Sequence, residues 1–186
     1  MKKLIITLLL CFGILSLGIP AFAATTNDSL DIAVDGGLGL GPDGTFALVG
    51  GMDFTLPLED QALQVSPLLV YISTEKTYDY TPRRDQLNTT VFGAFINWLY
   101  NYDPEETQNF YYITGVGFVY VTDNLVYGDG SGTKTTNSSG FGFDLGLGRN
   151  INEKLYFRVG LPVMVIFHET YTEFMPTILA TVGYRI

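Results

Sequence analysis

Residues 140–161 carry the feature that most restricts what this chain can fold into. Over Gly140–Gly148 the sequence GFGFDLGLG places an apolar side chain at every second position, with glycine or aspartate between them. Consecutive side chains of a β-strand point to opposite faces, so one face of such a strand is apolar and the other is nearly bare backbone. In a helix, each interior glycine would cost about 1 kcal/mol relative to alanine. After a polar turn at Arg149–Lys154, the alternation resumes over Leu155–Leu161, which predicts a β-hairpin.

Alternation with a period of two recurs along the chain and predicts eight strands joined in sequence. Their predicted bounds are Leu30–Leu40, Phe46–Phe54, Ala62–Ser73, Thr90–Tyr100, Phe110–Val121, Gly140–Gly148, Leu155–Leu161 and Phe174–Ile186. The third is the least regular, because Pro67 lacks an amide proton for the ladder. Two long irregular connections, Thr74–Asn88 and Thr122–Ser139, lie on the same side as the short turns at Pro42–Gly44 and His168–Glu173. An even strand number with long connections on one side is typical of membrane barrels.

The first 23 residues have the pattern of a secretory signal peptide. Two lysines precede an apolar run over Leu4–Ile19, and Ala21-Phe22-Ala23 places small residues two positions apart. We expect cleavage after Ala23 and a single domain over residues 24–186. The apolar run is shorter than the roughly 20 residues of a spanning helix, which argues against a retained anchor. The only cysteine, Cys11, lies in this segment, so we expect no disulfide and no thiolate metal site in the mature chain.

Composition narrows the class of protein further. The chain is 47% hydrophobic and only 16% charged, yet no apolar run after Ile19 is long enough for a helix to span a bilayer. If the chain enters a membrane, it enters as strands. Loss of Lys2 and Lys3 leaves 8 of the 10 basic residues against 19 acidic ones, a net charge of −11. This charge argues against nucleic acid as a partner.

Aromatic residues fall near both ends of the predicted strands. Rows of this kind form the girdles that flank the apolar band of a membrane barrel. The predicted girdle at the periplasmic end consists of Trp98, Tyr100, Phe110, Tyr112, Phe157 and Tyr184. The girdle at the other end consists of Phe118, Tyr120, Phe141, Phe143, Phe167 and Phe174. The alternative is that the aromatics fill a soluble secreted barrel that binds an apolar ligand in its interior.

Together these features resemble the small eight-stranded outer-membrane β-barrel family of Gram-negative bacteria. The resemblance rests on the signal peptide, the eight alternating strands, the Gly-rich sixth strand running into RNINEKLYF, and the final TVGYRI. It implies an all-β fold, an eight-stranded antiparallel up-and-down transmembrane β-barrel, in the cell outer membrane. It also implies a monomer that contacts outer-membrane lipid and lipopolysaccharide and meets the outer-membrane insertion machinery through its C-terminal strand. That strand usually ends in an aromatic residue in the family, whereas this chain ends in Ile186.

Six charged residues lie on the non-apolar faces of the predicted strands and are expected to meet inside the barrel. They are Asp31, Asp35, Asp53, Asp144, Arg158 and Arg185. An arginine that faces lipid at the midplane costs about 2–4 kcal/mol, whereas acids and bases can pair in a lumen. We predict an ion network in a closed lumen, because eight strands leave room for little beyond side chains. Apolar residues on the same faces support closure: Val49, Val91, Phe95, Met164 and Ile166. The alternative is a conduction path or a ligand site.

His168 is the only histidine and follows the seventh strand at its outer end. Some outer-membrane barrels are lipid A-modifying enzymes, and the deacylases among them use a histidine, a serine and an acid at the outer rim. The stretch His168-Glu169-Thr170 lacks their H-x-S spacing. We therefore predict a structural or surface-interaction protein that displays residues 74–88 and 122–139 outside the cell, with no catalytic role, cofactor or metal. A lipid A-modifying enzyme that uses His168 is the alternative.

Overall fold

The computed structural model describes residues 30–58, 61–78, 81–106 and 109–186. The predicted signal peptide, residues 1–23, lies outside the described residues. The strands are β1 (Asp31–Leu40), β2 (Phe46–Leu58), β3 (Gln61–Tyr78), β4 (Thr81–Tyr100), β5 (Phe110–Val126), β6 (Thr133–Asn150), β7 (Leu155–Gly160), β8 (Val163–Phe167), β9 (Thr172–Pro176) and β10 (Ile178–Arg185). A short 3-10 turn, Pro42–Gly44, joins β1 to β2. No helix in the described ranges is long and apolar enough to cross a bilayer.

The strands pair antiparallel in a sheet that closes on itself. β1 to β6 are neighbours in chain order, β6 pairs with both β7 and β8, and β10 pairs with both β7 and β1. β7 and β8 together form the seventh strand of the ring, interrupted at Pro162, which has no amide proton for the ladder, and the predicted strand Leu155–Leu161 covers only the first of these two parts. β9 and β10 are likewise two parts of the last strand, interrupted at Thr177. The ring is therefore an eight-stranded up-and-down antiparallel barrel, and the predicted fold class is confirmed.

The alternating residues give the barrel an apolar outer surface. Side chains on several strands expose at least half of their surface on the outside: Leu38, Leu48, Leu69, Ile96, Val116, Phe141, Leu145 and Val182. A continuous apolar surface of this extent is unusual for a monomer in water. It is the surface that a membrane barrel presents to lipid, and we call it the apolar belt.

The sequence predicts that the two long connections are irregular, and this prediction is wrong. Over residues 74–88, β3 and β4 remain paired as one long hairpin, with Lys76 opposite Asp85. Over residues 122–139, β5 and β6 remain paired as far as Val126 and Thr133, which leaves only a short turn. Apolar alternation could not reveal these extensions, because polar residues predominate on both faces of each hairpin there. Their threonines nevertheless favour the extended backbone.

The register of β3, which the sequence left uncertain, follows from its pairing. Ala62, Gln64, Ser66, Val70 and Ile72 are buried on the inner face. The hydrogen-bonded pairing of β2 with β3 is interrupted between the pairs Phe54–Val65 and Gly51–Leu68. Pro67 lies in this gap, where its missing amide proton breaks no ladder bond to β2.

Glycines on the inner faces make room for aromatic rings from neighbouring strands. Gly148 lies opposite Tyr111, and Gly183 lies opposite Tyr156. In both pairs the phenol ring covers the glycine so closely that a Cβ atom there would collide with it. At Gly142 a Cβ atom would lie 2.6 Å from the ring of Phe95. The bare face of residues 140–148 is therefore the space that large side chains occupy.

Replacing Gly183 by valine tests this complementarity. We expect Gly183→Val to lower the free energy of unfolding by about 1–3 kcal/mol, because the Tyr156 ring must leave its place. Gly36→Val is the matched control, since Gly36 points outward and a Cβ atom there lies 3.8 Å from its nearest neighbour. Urea titration of the barrel in lipid vesicles measures both values. Equal losses would show that the ring contact contributes nothing specific.

Candidate functional site

Three layers of side chains fill the barrel along its axis. We call the end with residues 151–154 and the C-terminus the turn end, and the end with the β3–β4 and β5–β6 hairpins the hairpin end. The layer on the hairpin side is apolar and consists of Ala47, Val49, Val70, Ile72, Val91, Phe95, Val119, Val121, Met164, Ile166, Met175 and Leu179. A smaller layer at the turn end consists of Ala62, Leu99, Tyr102, Tyr111 and Ile113. Polar side chains lie between the two.

Arg158 is the centre of the polar layer. Its Nη2 atom lies 3.0 Å from Asp35 Oδ2, and its Nη1 atom lies 3.5 Å from Asp53 Oδ2 and 3.2 Å from Gln64 Oε1. Asp144, buried on β6, acts on the same guanidinium through its charge. Buried charges are tolerated when they are paired and hydrogen-bonded, which this arrangement provides. Within the described ranges, no group of three or more His, Cys, Asp or Glu side chains could hold a metal ion.

Neutral polar side chains complete the hydrogen bonding around Asp53. Ser66 donates to Asp53 Oδ1 at 2.5 Å, and the Tyr156 hydroxyl donates to the other carboxylate oxygen. Asn97 Nδ2 lies 3.3 Å from both Gln64 Oε1 and Ser66 Oγ. Sequence reasoning missed these four partners, because an uncharged polar residue within an alternating strand gives no distinctive signal.

Arg185 forms a second polar group at the turn end. Its guanidinium donates to Asn150 Oδ1 at 2.6 Å, to the Tyr102 hydroxyl at 3.2 Å and to the Glu153 carbonyl at 3.0 Å. Burial raises the pKa of Tyr102 to about 12, although the positive charge of Arg185 acts in the opposite direction. Tyr102 is therefore a neutral phenol at physiological pH and accepts the hydrogen bond from Arg185 without a charge of its own.

The structure thus divides the six charges predicted to meet in the lumen into two groups. One group is Arg158 with Asp35, Asp53 and Asp144. The other is Arg185, on which Asp31 acts through its charge. Tyr156 joins them, since its hydroxyl bonds to Asp53 and its ring centroid lies 5.4 Å from Arg185 Cζ. The apolar layer on the hairpin side covers the polar layer there, so the described side chains leave no continuous polar path through the barrel.

The predicted aromatic girdles lie on the outside of the barrel. At the turn end, exposure ranges from 36% to 57% of the surface for Trp98, Tyr100, Phe110, Tyr112, Phe157 and Tyr184. Trp98 also donates from Nε1 to Gln61 at 2.7 Å, so its polar edge has a partner while its ring is exposed. At the hairpin end, the Phe141 ring packs edge-to-face against Phe118 and Phe167. Also exposed on this side are Phe143 and Phe174, whereas Tyr120 is half-buried.

His168 lies at the hairpin end, in the turn between β8 and β9, and the structure gives it two partners. Its Nδ1 atom lies 2.8 Å from Ser138 Oγ, and its Nε2 atom lies 2.9 Å from Glu173 Oε2. Ser138 precedes His168 by 30 residues and reaches it because β6 pairs with β8. The H-x-S spacing does not apply to Ser138, because this serine comes from another strand.

No protein-family model matches the sequence, and no curated protein matches it. Solved structures match the fold. The N-terminal β-barrel domain of Pseudomonas aeruginosa OprF aligns with a TM-score of 0.57 at 10% identity, covering 84% of this chain and 97% of that one. Ail, the attachment invasion locus protein of Yersinia pestis, solved in complex with the heparin analogue sucrose octasulfate, aligns with a TM-score of 0.56 at 8% identity, covering 84% and 97%.

The chain therefore has the fold of the small eight-stranded outer-membrane β-barrels, as its sequence resemblance implied. The outer-membrane location predicted from the sequence agrees with this fold and with the apolar belt.

Replacing Arg158 tests the polar layer. We expect Arg158→Met to lower the free energy of unfolding by about 3–5 kcal/mol, because it leaves buried carboxylates without a counter-charge. Arg84→Met is the control: the Arg84 side chain is 71% exposed and lies 3.7 Å from Glu75. Its loss should cost less than about 1 kcal/mol. Urea titration in vesicles measures both, and a small effect at Arg158 would contradict a paired, buried network.

Trp98, the only tryptophan, reports whether the belt lies in lipid. We expect bromines near the lipid headgroups to quench its fluorescence more strongly than bromines near the acyl chain ends, because it belongs to a girdle. In the double variant Trp98→Phe with Val116→Trp, the reporter sits in the middle of the belt and the order should reverse. Absence of quenching by any brominated lipid would support the soluble barrel instead.

Proposed function

We propose that this protein is an outer-membrane barrel that acts by displaying its hairpin end outside the cell. The observation that carries the proposal is the extension of four strands beyond the belt. The pairing of β2 with β3 ends at Ala47 and Ile72, and that of β8 with β6 ends at Phe167 and Ser139. β3, β4, β5 and β6 continue past these points as a paired sheet, over residues 73–78, 81–89, 122–126 and 133–138. We call this extension the rim sheet.

The rim sheet has the chemistry of a surface in water. Residues 133–137 of β6 are exposed on both faces. Cross-strand hydrogen bonds between polar side chains hold the extension, with Thr135 donating to Asn124 at 2.8 Å and Thr122 donating to Asn137 at 3.1 Å. Polar cross-strand pairs of this kind stabilise a sheet by a few tenths of a kcal/mol to about 1 kcal/mol each. The rim sheet is therefore suited to contact soluble partners rather than lipid.

The two open edges of the rim sheet support binding of an added strand. In the described part of the chain, residues 133–137 of β6 pair with β5 on one side and with no strand on the other. β3 likewise extends beyond β2 from Ser73 onward. Backbone groups at such edges can bind an added strand. The partner we propose is an extended polypeptide segment that adds to one of these edges.

The same geometry supports the surroundings that we propose for the barrel. The apolar belt contacts the lipid chains, and the hairpin-end girdle lies at the level of the lipopolysaccharide. β10, which ends next to Ile186, is the segment we propose for recognition by the insertion machinery. The Yersinia pestis neighbour, whose name refers to attachment and invasion, supports a surface role as one use of this fold.

Cysteine labelling tests the display of the rim sheet, because the only native cysteine is Cys11 in the predicted signal peptide. Thr135→Cys lies in the rim sheet, and Glu153→Cys lies at the turn end. We expect a bulky maleimide to label Thr135→Cys in intact cells and to label Glu153→Cys only after lysis. Labelling in the opposite order would mean that the barrel is inverted, and labelling of both in intact cells would contradict membrane insertion.

A further inference from the structure

We infer that Ser138, His168 and Glu173 form a hydrolytic site at the hairpin end, with Ser138 as the nucleophile. The three side chains form one line of hydrogen bonds, 2.8 Å from Ser138 Oγ to His168 Nδ1 and 2.9 Å from His168 Nε2 to Glu173 Oε2. A hydroxyl, an imidazole and a carboxylate in this order activate serine on several unrelated folds. Both distances are within the range needed for proton transfer.

The imidazole is held in one orientation. Its ring stacks on Tyr171, with the centroids 4.2 Å apart and the planes 15° from parallel. The backbone N–H of His168 donates to the Tyr171 carbonyl at 2.9 Å, which closes the turn. A neutral imidazole has one donor and one acceptor, and the Glu173 carboxylate only accepts. In the tautomer that carries its proton on Nε2, the imidazole donates to Glu173 and the lone pair on Nδ1 faces the Ser138 hydroxyl.

The backbone beside Ser138 provides donors for the charge that develops during attack. The last pair between β6 and β8 is Ser139 with Phe167, so Ser138 is the first β6 residue beyond it. Amides of an antiparallel strand point alternately to its two neighbours. Every second amide over residues 133–138 therefore points to the side where the described residues place no strand. Amides in this position can stabilise an oxyanion.

The surroundings select an uncharged carboxylic ester as the substrate class. Ser138 is 8% exposed, and Val121, Ile166 and Met175 fill the lumen below it, so the hairpin end is the side from which a substrate approaches. The carboxylates of Glu173 and Asp123 both act on Tyr171 through their charge. These two carboxylates lie close to the site, Asp123 opposite Thr136 and Glu173 against His168, and they disfavour an anionic substrate such as a phosphate ester.

The reaction proceeds in two balanced steps. Ser138 Oγ bonds to the carbonyl carbon while its proton passes to His168 Nδ1, and the bond from that carbon to the alcohol oxygen breaks as the same proton passes to the alcohol. Water then attacks the acyl-serine and gives its proton to His168, which returns it to Ser138 as the acid leaves. Glu173 touches only His168 and is a positioning residue that stabilises the imidazolium.

A fluorophosphonate probe tests the nucleophile in the folded protein in detergent micelles, with the labelled residue identified by peptide mass spectrometry. We expect one label, on Ser138, that is absent in Ser138→Ala and slowed roughly 10³-fold in His168→Ala. Ser139→Ala is the matched control and should label like the unaltered protein. Resistance of the unboiled barrel to unfolding on SDS gels verifies that each variant has folded.

The Glu173 variants separate a positioning role from a merely structural one. Glu173→Gln keeps the size and a hydrogen bond but removes the charge, so we expect labelling to slow roughly 10²- to 10⁴-fold. Glu173→Asp, which keeps the charge, should recover part of the rate. Equal rates in Glu173→Gln and the unaltered protein would show that Glu173 only tethers the turn, and would overturn its assigned role.

Two substrates identify the source of the ester. Hydrolysis of dissolved p-nitrophenyl butyrate indicates a soluble ester, and release of fatty acid from phosphatidylcholine vesicles indicates a membrane lipid. Either result, lost in Ser138→Ala, confirms the substrate class, and hydrolysis of neither overturns it. Absence of a label on Ser138 in the folded protein, or a label that persists unchanged in His168→Ala, would overturn the site itself.

Discussion

Closure of the backbone ladder is the constraint on which the rest of the structure depends. In lipid no water satisfies a free amide or carbonyl, so a strand with an open edge cannot lie within the apolar belt. β1 pairs with β10 from Ala33–Arg185 to Leu40–Ile178, and this seam joins the first and last described strands and closes the ring. In the described residues the open edges lie at the hairpin end, where β3 extends beyond β2, β6 extends beyond β8, and β9 pairs with β8 alone. The pairing therefore changes where the apolar belt ends and the polar rim sheet begins.

Closure with eight strands also decides how the interior is filled. Side chains from opposite walls of so narrow a barrel compete for the same space. The ring of Phe95 occupies the place left by Gly142, and the ring of Tyr111 occupies the place left by Gly148. Charged side chains must then find their partners inside the barrel, as Arg158 does with Asp35, Asp53 and Gln64. The pairing of Arg158 with its carboxylates is thus a consequence of the same packing. It is not an independent source of stability.

At the hairpin end the backbone edges can remain open, because in the proposed orientation water rather than lipid surrounds them. The open edge of β6 and the contact between Ser138 and His168 belong to the same short segment, residues 133–138. A polypeptide that adds to this edge would lie directly beside the proposed nucleophile. The display role and the hydrolytic site are therefore neighbours in space, although they rest on separate observations: open backbone edges for the first, and a line of side-chain contacts for the second.

The sequence by itself determined the strands of the belt and the face that each residue occupies, because alternation is a local property of successive side chains. It also placed Asp53 and Arg158 on the inner faces. Only the tertiary structure decided the length of the rim hairpins, since polar residues on both faces carry no alternation. It alone separated Arg185 from Arg158 and brought Ser138 to His168, 30 residues away. Those contacts depend on the register between strands and on closure of the ring, which no local pattern encodes.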